Sequence, residues 1–240
     1  MPALPVVLPV VAFCPCPPVL VPQLAQGAAS ELAELRAACD TAVAWLADRA
    51  GSVLVVGAGP DPRVHPDGSA GSLAGFGQGV RAGGDGPAVL PLSLTMGAWL
   101  LDRCGADLRR DYVAVGPAQA GAAQVTALVG SGAPALLVMG DGTARLDERG
   151  PGGWDERAAR HEERVASALA AGDADALAGL DLDEADEFMA AGVPAWRACG
   201  AALRQRDPQH RTPMQGTVLA RQWPYGVAYT VATWTPGTRR

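Results

Sequence analysis

Continuous apolar runs alternate along this chain with stretches of helical periodicity. Residues 6–13, 53–56, 112–115 and 135–139 are runs of mostly β-branched and aliphatic side chains. Such runs are typical of strands that are covered on both faces of a sheet. The pattern therefore predicts four buried strands in one sheet, which begin near Val6, Val53, Tyr112 and Ala135.

Helical patterns fill most of the intervals between these strands. Apolar residues recur every three to four positions in residues 28–49, 94–104 and 118–129. Strands that alternate with helices favour a parallel sheet between two helical layers. The sequence therefore predicts an α/β protein with three layers, α/β/α, around a central mixed, mostly parallel sheet.

The C-terminal third predicts further helices and a closing hairpin. Residues 154–206 are helical in pattern, with breaks near Gly172 and at residues 193–194. The alternating pattern of residues 217–233 predicts two antiparallel strands around a Trp-Pro-Tyr turn. Because no internal repeat or linker divides the chain, we expect residues 1–240 to form a single domain.

Residues 60–87 interrupt the regular pattern. They are rich in Gly, Pro and Asp, with few apolar anchors such as Leu73 and Phe76. A loop of this length within a compact domain is usually functional or mobile. We expect it to be the most mobile internal stretch or a lid, and residues 88–92 are predicted to form a short strand after it.

Composition excludes some classes of function. The 240 residues carry a net charge of −6 and no lysine, and no arginine stripe is interleaved with aromatics, so a nucleic-acid partner is not expected. The apolar residues 4–13 lack a preceding positive region, which favours a buried strand over a signal peptide. No apolar run has the roughly 18–20 residues of a membrane span. Five cysteines, an odd number, indicate reduced thiols in a cytoplasmic protein.

Three loops that follow predicted strands are candidate binding loops: residues 14–18, 57–62 and 140–145. In open α/β sheets, ligands bind beyond the carboxyl ends of the strands, where such loops meet. The residues that we expect to line a pocket there, some of them from other segments, are Cys16, Gly57, Gly59, His65, Asp141, Ala144 and Cys199.

Motifs for common cofactors are incomplete. Gly57 and Gly59 follow a strand, but neither a third glycine nor a helix start follows, as a dinucleotide-binding turn requires. Cys14 and Cys16 have a one-residue spacer and no second ligand pair, which is not typical of zinc. His161 lies among charged residues and is interpreted as part of a solvated helix face. The chain also lacks a phosphate-binding loop and a Gly-x-Ser-x-Gly elbow, and no metal ligands are assigned.

Four segments carry a resemblance to a known family. Residues 14–22 read Cys-Pro-Cys-Pro-Pro-Val-Leu-Val-Pro, residues 139–146 read Met-Gly-Asp-Gly-Thr-Ala-Arg-Leu, residues 151–155 read Pro-Gly-Gly-Trp-Asp, and residues 225–229 read Tyr-Gly-Val-Ala-Tyr. In order and spacing they resemble the class III extradiol ring-cleavage dioxygenases. Within that family the chain looks most like the small bacterial proteins that are related to the β chain of protocatechuate dioxygenase, and more distantly like Memo.

The resemblance implies a cofactor and a set of site positions. In that family, two histidines and a glutamate hold a non-haem Fe(II), and a further histidine acts as acid and base toward an aromatic substrate. In this chain Cys16 stands where the first histidine would be, Gly57 and Gly59 where the second would follow its strand, and Ala144 where the acid/base histidine would be. Cys199 with the following glycine resembles the Cys-Gly of the Memo pocket.

Three functions follow from this pattern. One is a non-catalytic or repurposed relative, a pseudoenzyme, that keeps a pocket for a small aromatic ligand. The second is an enzyme with a site rebuilt from Cys16, Cys199, Asp141 or His65, and the third is a ring-cleaving iron dioxygenase with atypical ligands. We also expect Cys16 and Cys199 to approach one another across the crevice, and the sequence leaves homo-oligomerisation open.

Overall fold

The central feature of the fold is a seven-stranded sheet, accompanied by a separate two-stranded one. The computed structural model describes residues 7–105, 107–116, 119–132 and 135–237. The strands of these residues are β1 (Val11–Cys14), β2 (Ser52–Ala58), β3 (Val64–His65), β4 (Ala70–Ser72), β5 (Arg81–Gly83), β6 (Arg109–Val115), β7 (Ala135–Met139), β8 (Met214–Gln222) and β9 (Tyr229–Pro236).

The large sheet has a parallel centre and antiparallel margins. Its strand order is β3-β6-β2-β7-β1-β9-β8, while β4 and β5 form the small sheet. The strands β6, β2, β7 and β1 run parallel, so their carboxyl ends share one edge. The strands β3, β9 and β8 join them in antiparallel pairs. This confirms the predicted mixed, mostly parallel sheet that contains all four apolar runs.

Helices cover both faces of this sheet. One apolar cluster packs α2 and α3 against one face, and a second packs α4, α5 and α8 against the other, which confirms the three layers. No helix in the described ranges is long and apolar enough to cross a membrane. The helices are α1 (Pro22–Ala25), α2 (Ala33–Ala47), α3 (Leu92–Cys104), α4 (Ala122–Gly132), α5 (Glu156–Ala171), α6 (Ala174–Ala178), α7 (Leu182–Glu187) and α8 (Val193–Arg206).

Several boundaries differ from the prediction. The first strand begins at Val11 rather than near Val6, which lies outside the described residues; Pro9 has no N–H to give to a sheet ladder. The first long helix begins at Ala33, after a turn of 3₁₀ helix, rather than at residue 28. Residues 88–92 form no strand, because Pro91 ends the extended segment and α3 begins directly after it.

The predicted loop of residues 60–87 is more ordered in structure than its composition indicates. It contains β3, β4 and β5, and the side chain of its Leu73 is fully buried. Its glycines allow close packing: a Cβ on Gly71 would lie 2.1 Å from the Thr95 hydroxyl of α3. The interpretation of residues 60–87 as one long loop is therefore wrong, while its mobility or its role as a lid stays a prediction.

The C-terminal third follows its predicted pattern, except for a further break at residues 179–181 between α6 and α7. Gly172 ends α5 with φ of 71°, a left-handed conformation that glycine adopts readily. The second break is also confirmed, because α8 begins at Val193. The closing hairpin is formed by β8 and β9; β8 begins before the predicted residue 217, and β9 begins at Tyr229 and ends at Pro236, beyond the predicted residue 233.

Candidate functional site

The strand-end crevice arises where neighbouring strands send their chains to opposite faces. The chain leaves β1 toward α2 on one face, whereas it leaves the adjacent β7 toward α5 on the other. Two loops that diverge in this way leave a gap between them at the carboxyl edge of a sheet. Cys16 and Asp141 lie in these two loops, as the sequence predicts.

Hydrogen bonds connect the two loops directly. The backbone N–H of Cys16 donates to Oδ1 of Asp141 over 2.7 Å, and the N–H of Gly140 donates to the carbonyl of Cys14 over 3.0 Å. On its other side, the carbonyl of Asp141 accepts from the N–H of Gly192, at the start of α8, over 2.8 Å. The loop after β7 is therefore held from several elements at once.

A cavity of about 320 Å³ opens between these loops. Its wall is mostly apolar, and its polar side chains come from different elements. Of the predicted site residues, Cys16, Asp141 and Ala144 line it. The remaining wall includes Pro17, Pro18, Ala58, Leu92, Ser93, Met139, Met189, Ala191, Val227 and Tyr229.

Asp141 is the ionisable carboxyl group of this wall. Burial raises the pKa of Asp141 from 3.8 to about 6, although the hydrogen bonds from Cys16 favour its charged form. A carboxyl group with a pKa in this range exchanges a proton near neutral pH. The cavity therefore contains a group that accepts a hydrogen bond when ionised and donates one when protonated.

The other polar groups of the wall are neutral. Burial raises the pKa of the Cys16 thiol well above its ordinary value, and the Asp141 carboxylate raises it further. Burial, and to a smaller extent the charge of Asp141, also raises the pKa of Tyr229. The Ser93 hydroxyl donates to the carbonyl of Ala58 over 2.6 Å. Because the thiolate is the reactive form of cysteine, Cys16 is a poor nucleophile here.

The two predicted glycines, Gly57 and Gly59, allow the segments beside the cavity to pack closely. A Cβ on Gly57 would lie 2.5 Å from Oγ of Ser93, so glycine leaves the space that this hydroxyl occupies. Gly59 packs closely in the same region, where a Cβ would lie 3.1 Å from the Cβ of Ala114. Both glycines are thus explained by close packing beside the cavity.

Glu162 supports the Asp141 loop from behind and was missed from the sequence. Its side chain on α5 is only 2% exposed, and its Oε2 accepts the N–H of Thr143 over 3.2 Å. Burial raises the pKa of Glu162 from 4.5 to about 7. Its spacing could have identified it: Glu162 lies four residues after Ala158 and three before Val165, which places all three on the buried face of the helix.

Three residues are not where the sequence analysis expects them. His65 is buried in β3, where it pairs with Tyr112, and it does not line the cavity. Cys199 lies fully buried in the apolar cluster on the face of the sheet opposite that of Cys16 and does not line the cavity, so the two thiols do not face each other across it. His161 is fully buried beside Phe188 rather than solvated, because it shares the inner face of α5.

The donor set does not fit the Fe(II) of the resembled family. That iron requires three protein ligands on one face, whereas the cavity offers the Asp141 carboxylate and the Cys16 thiol, and Ala144 supplies no donor. Within the described ranges, no group of three or more His, Cys, Asp or Glu side chains is arranged to hold a metal ion. No mechanistic step through iron follows from this site.

The chain matches no protein-family model and no curated protein.

Proposed function

We propose that this protein binds a small molecule through an uncharged aromatic ring in the strand-end cavity, as a repurposed relative of the extradiol dioxygenases that no longer uses iron. The observation that carries the proposal is the convergence of Cys16, Asp141 and Tyr229 on one apolar cavity of about 320 Å³. Pockets for small organic ligands have volumes from roughly 300 Å³ upward and combine apolar walls with a few convergent polar groups.

The wall selects for the charge of the ligand. Among the described residues, no arginine or histidine lines the cavity, and Asp141 carries negative charge above its pKa of about 6. An anionic ligand would be buried without a partner, which is costly. A neutral hydroxyl group satisfies the site, because it donates to the ionised Asp141, while the apolar surfaces of Pro17 and Leu92 are suited to contact a ring.

The same side chains favour binding over ring cleavage or nucleophilic catalysis. Ala144 cannot transfer a proton, and Cys16 is held as a neutral thiol. Among the described residues, the wall offers no set of three iron ligands, which argues against oxygen activation of the resembled kind. What the cavity retains is the ability to enclose a ligand and to pair its polar group.

One observation favours a second candidate, an enzyme that uses Asp141 as a general acid or base. The pKa of Asp141, about 6, lies near the range in which such groups are effective. The two functions differ in the effect of Asp141→Asn. This variant would abolish the turnover of any substrate found, whereas in a binding protein it would change only affinity and its dependence on pH.

Titration with para-fluorophenol, followed by fluorine NMR, tests the proposal. The variant Ala144→Leu places extra volume in the cavity wall, and Ala44→Leu adds the same volume at an exposed position of α2. We expect saturable binding by the wild type and by Ala44→Leu, and affinity at least about tenfold weaker in Ala144→Leu, about 1.4 kcal/mol. Equal binding by all three proteins, or none by the wild type, would contradict the proposal.

A further inference from the structure

A second cavity lies beside the first, beyond the carboxyl ends of β2 and β6. The chain leaves β2 across the end of β6 to reach β3, on the far side of β6, and it leaves β6 toward α4 on one face of the sheet. The cavity beyond these strand ends measures about 710 Å³. Gly59 and Gly116 form its floor at the strand ends, and α7 with the start of α8 forms the opposite wall.

The two cavities share part of their wall. Ala58, Met189 and Ala191 line both of them. Ala58 and Met189 differ in their structural setting. Ala58 ends β2, whereas Met189 lies outside any helix or strand, has a φ of 54° and has a half-exposed side chain. A methionine side chain is flexible and adapts to irregular space, so Met189 is suited to adjust to a ligand where the two cavities adjoin.

The second cavity has a negative rim. Asp183 and Asp186 of α7 line it, and its other wall residues are apolar or glycine. In the part of the chain that the structure describes, no arginine or histidine lines either cavity. The field at this end of the crevice therefore favours a cation over an anion.

We propose that the two cavities hold the two ends of one elongated ligand, an aromatic ring with an alkylammonium tail. The ring occupies the cavity of Cys16 and Asp141, and the tail passes Met189 to place its positive charge near Asp183 and Asp186. This inference rests on the proposed function, because it assumes that the first cavity binds the ring. It adds a class of ligand, the arylalkylamines, and a subsite for the amine.

A matched set of ligands tests the tail subsite. Tyramine, para-ethylphenol and para-hydroxyphenylacetate share the phenol and differ in carrying a positive, neutral or negative tail, and homologues of tyramine with longer spacers cover the distance between the cavities. Calorimetry or fluorescence titration gives the affinities. We expect the best ammonium ligand to bind about fivefold more tightly than para-ethylphenol, and the carboxylate to bind most weakly, as partly exposed ion pairs allow.

Two double variants locate the effect. Asp183→Asn/Asp186→Asn removes both charges of the rim, while Asp48→Asn/Asp85→Asn makes the same change of net charge outside both cavities. We expect the ammonium preference to disappear in the first variant and to persist in the second, with the affinity for para-ethylphenol unchanged in both. A preference that survives in the first variant would overturn the inference.

The failures of the two proposals are distinguishable. If para-ethylphenol binds to the wild type but no ammonium ligand binds more tightly, the inference fails and the proposed function stands. If neither kind of ligand binds, the proposed function fails and the inference fails with it.

Discussion

The backbone N–H of Cys16 donates a 2.7 Å hydrogen bond to Oδ1 of Asp141, a residue 125 positions away in the chain. This bond joins the loops that leave β1 and β7 at the carboxyl edge of the sheet. It fixes the Asp141 carboxyl group in the wall of the cavity, where burial raises its pKa to about 6. The same contact thus positions the site and makes its charge dependent on pH.

Asp141 is expected to make folding stability decrease as the pH rises. Its pKa is raised from 3.8 to about 6 on folding, so its contribution is fully present below about pH 4 and is lost as the pH rises through about 6. The full shift corresponds to about 3 kcal/mol, at ~1.36 kcal/mol per unit. Urea unfolding at about pH 4 and pH 8 measures this loss as a decrease in the free energy of unfolding. The decrease should be smaller in Asp141→Asn than in the wild type, and it should be unchanged in the control Asp85→Asn, which alters an exposed residue. Identical pH profiles for wild type and Asp141→Asn would contradict this.

Glu162 is also expected to make folding stability decrease as the pH rises, over a higher pH range than Asp141. Folding raises its pKa from 4.5 to about 7, so its contribution is present below about pH 4.5 and is lost as the pH rises through about 7. Relative to wild type, the free energy of unfolding of Glu162→Gln should therefore rise by about 3 kcal/mol between about pH 4 and 8. Glu163→Gln changes an exposed neighbour on the same helix and serves as the control. The prediction fails if both variants respond to pH alike.

Gly140→Ala is expected to destabilise the fold. A Cβ at this position would lie 2.4 Å from the Cα of Gly192, so the Asp141 loop and the start of α8 would have to separate. Such overpacking costs about 1–3 kcal/mol. Gly130→Ala is the matched control, since nothing lies within 4 Å of its Cβ in α4 and alanine favours a helix by up to about 1 kcal/mol. Equal melting temperatures for the two variants would contradict this.

The cysteines are expected to differ in their reaction with iodoacetamide. Cys104 is partly exposed, whereas Cys14, Cys16, Cys39 and Cys199 are buried. Burial also raises the pKa of Cys16 well above its ordinary value, and alkylation requires the thiolate. Peptide mapping by mass spectrometry of the native protein near neutral pH should therefore find Cys104 modified first. Early modification of Cys16 would show that its thiol is activated and would favour the enzymatic alternative.

The parallel centre of the sheet was predictable because each of its strands has a recognisable pattern within a few consecutive residues. The strands β2 and β7 are uninterrupted apolar runs, and burial on both faces requires such a composition. The loop after each strand then has a defined place in the fold, which is why Cys16, Asp141 and Ala144 were found. Their position follows from topology alone.

The remaining features depend on packing between distant segments. The glycines of residues 60–87 indicate a loose loop when read locally, but Gly71 is required by its contact with Thr95. Cys199 was placed at the crevice by resemblance, whereas its helix packs its apolar face on the other side of the sheet. Tyr229 begins β9, the last strand, and its approach to the cavity depends on the antiparallel pairing of β9 with β1.

An amide proton–nitrogen correlation spectrum, recorded during titration with para-fluorophenol, tests the central claim most directly. The account predicts saturable shifts that concentrate at the amides of Cys16, Asp141, Gly142 and Tyr229, which surround the cavity. Shifts centred instead on the separate cavity near His210 and Asp173, or no saturable shifts at all, would contradict it.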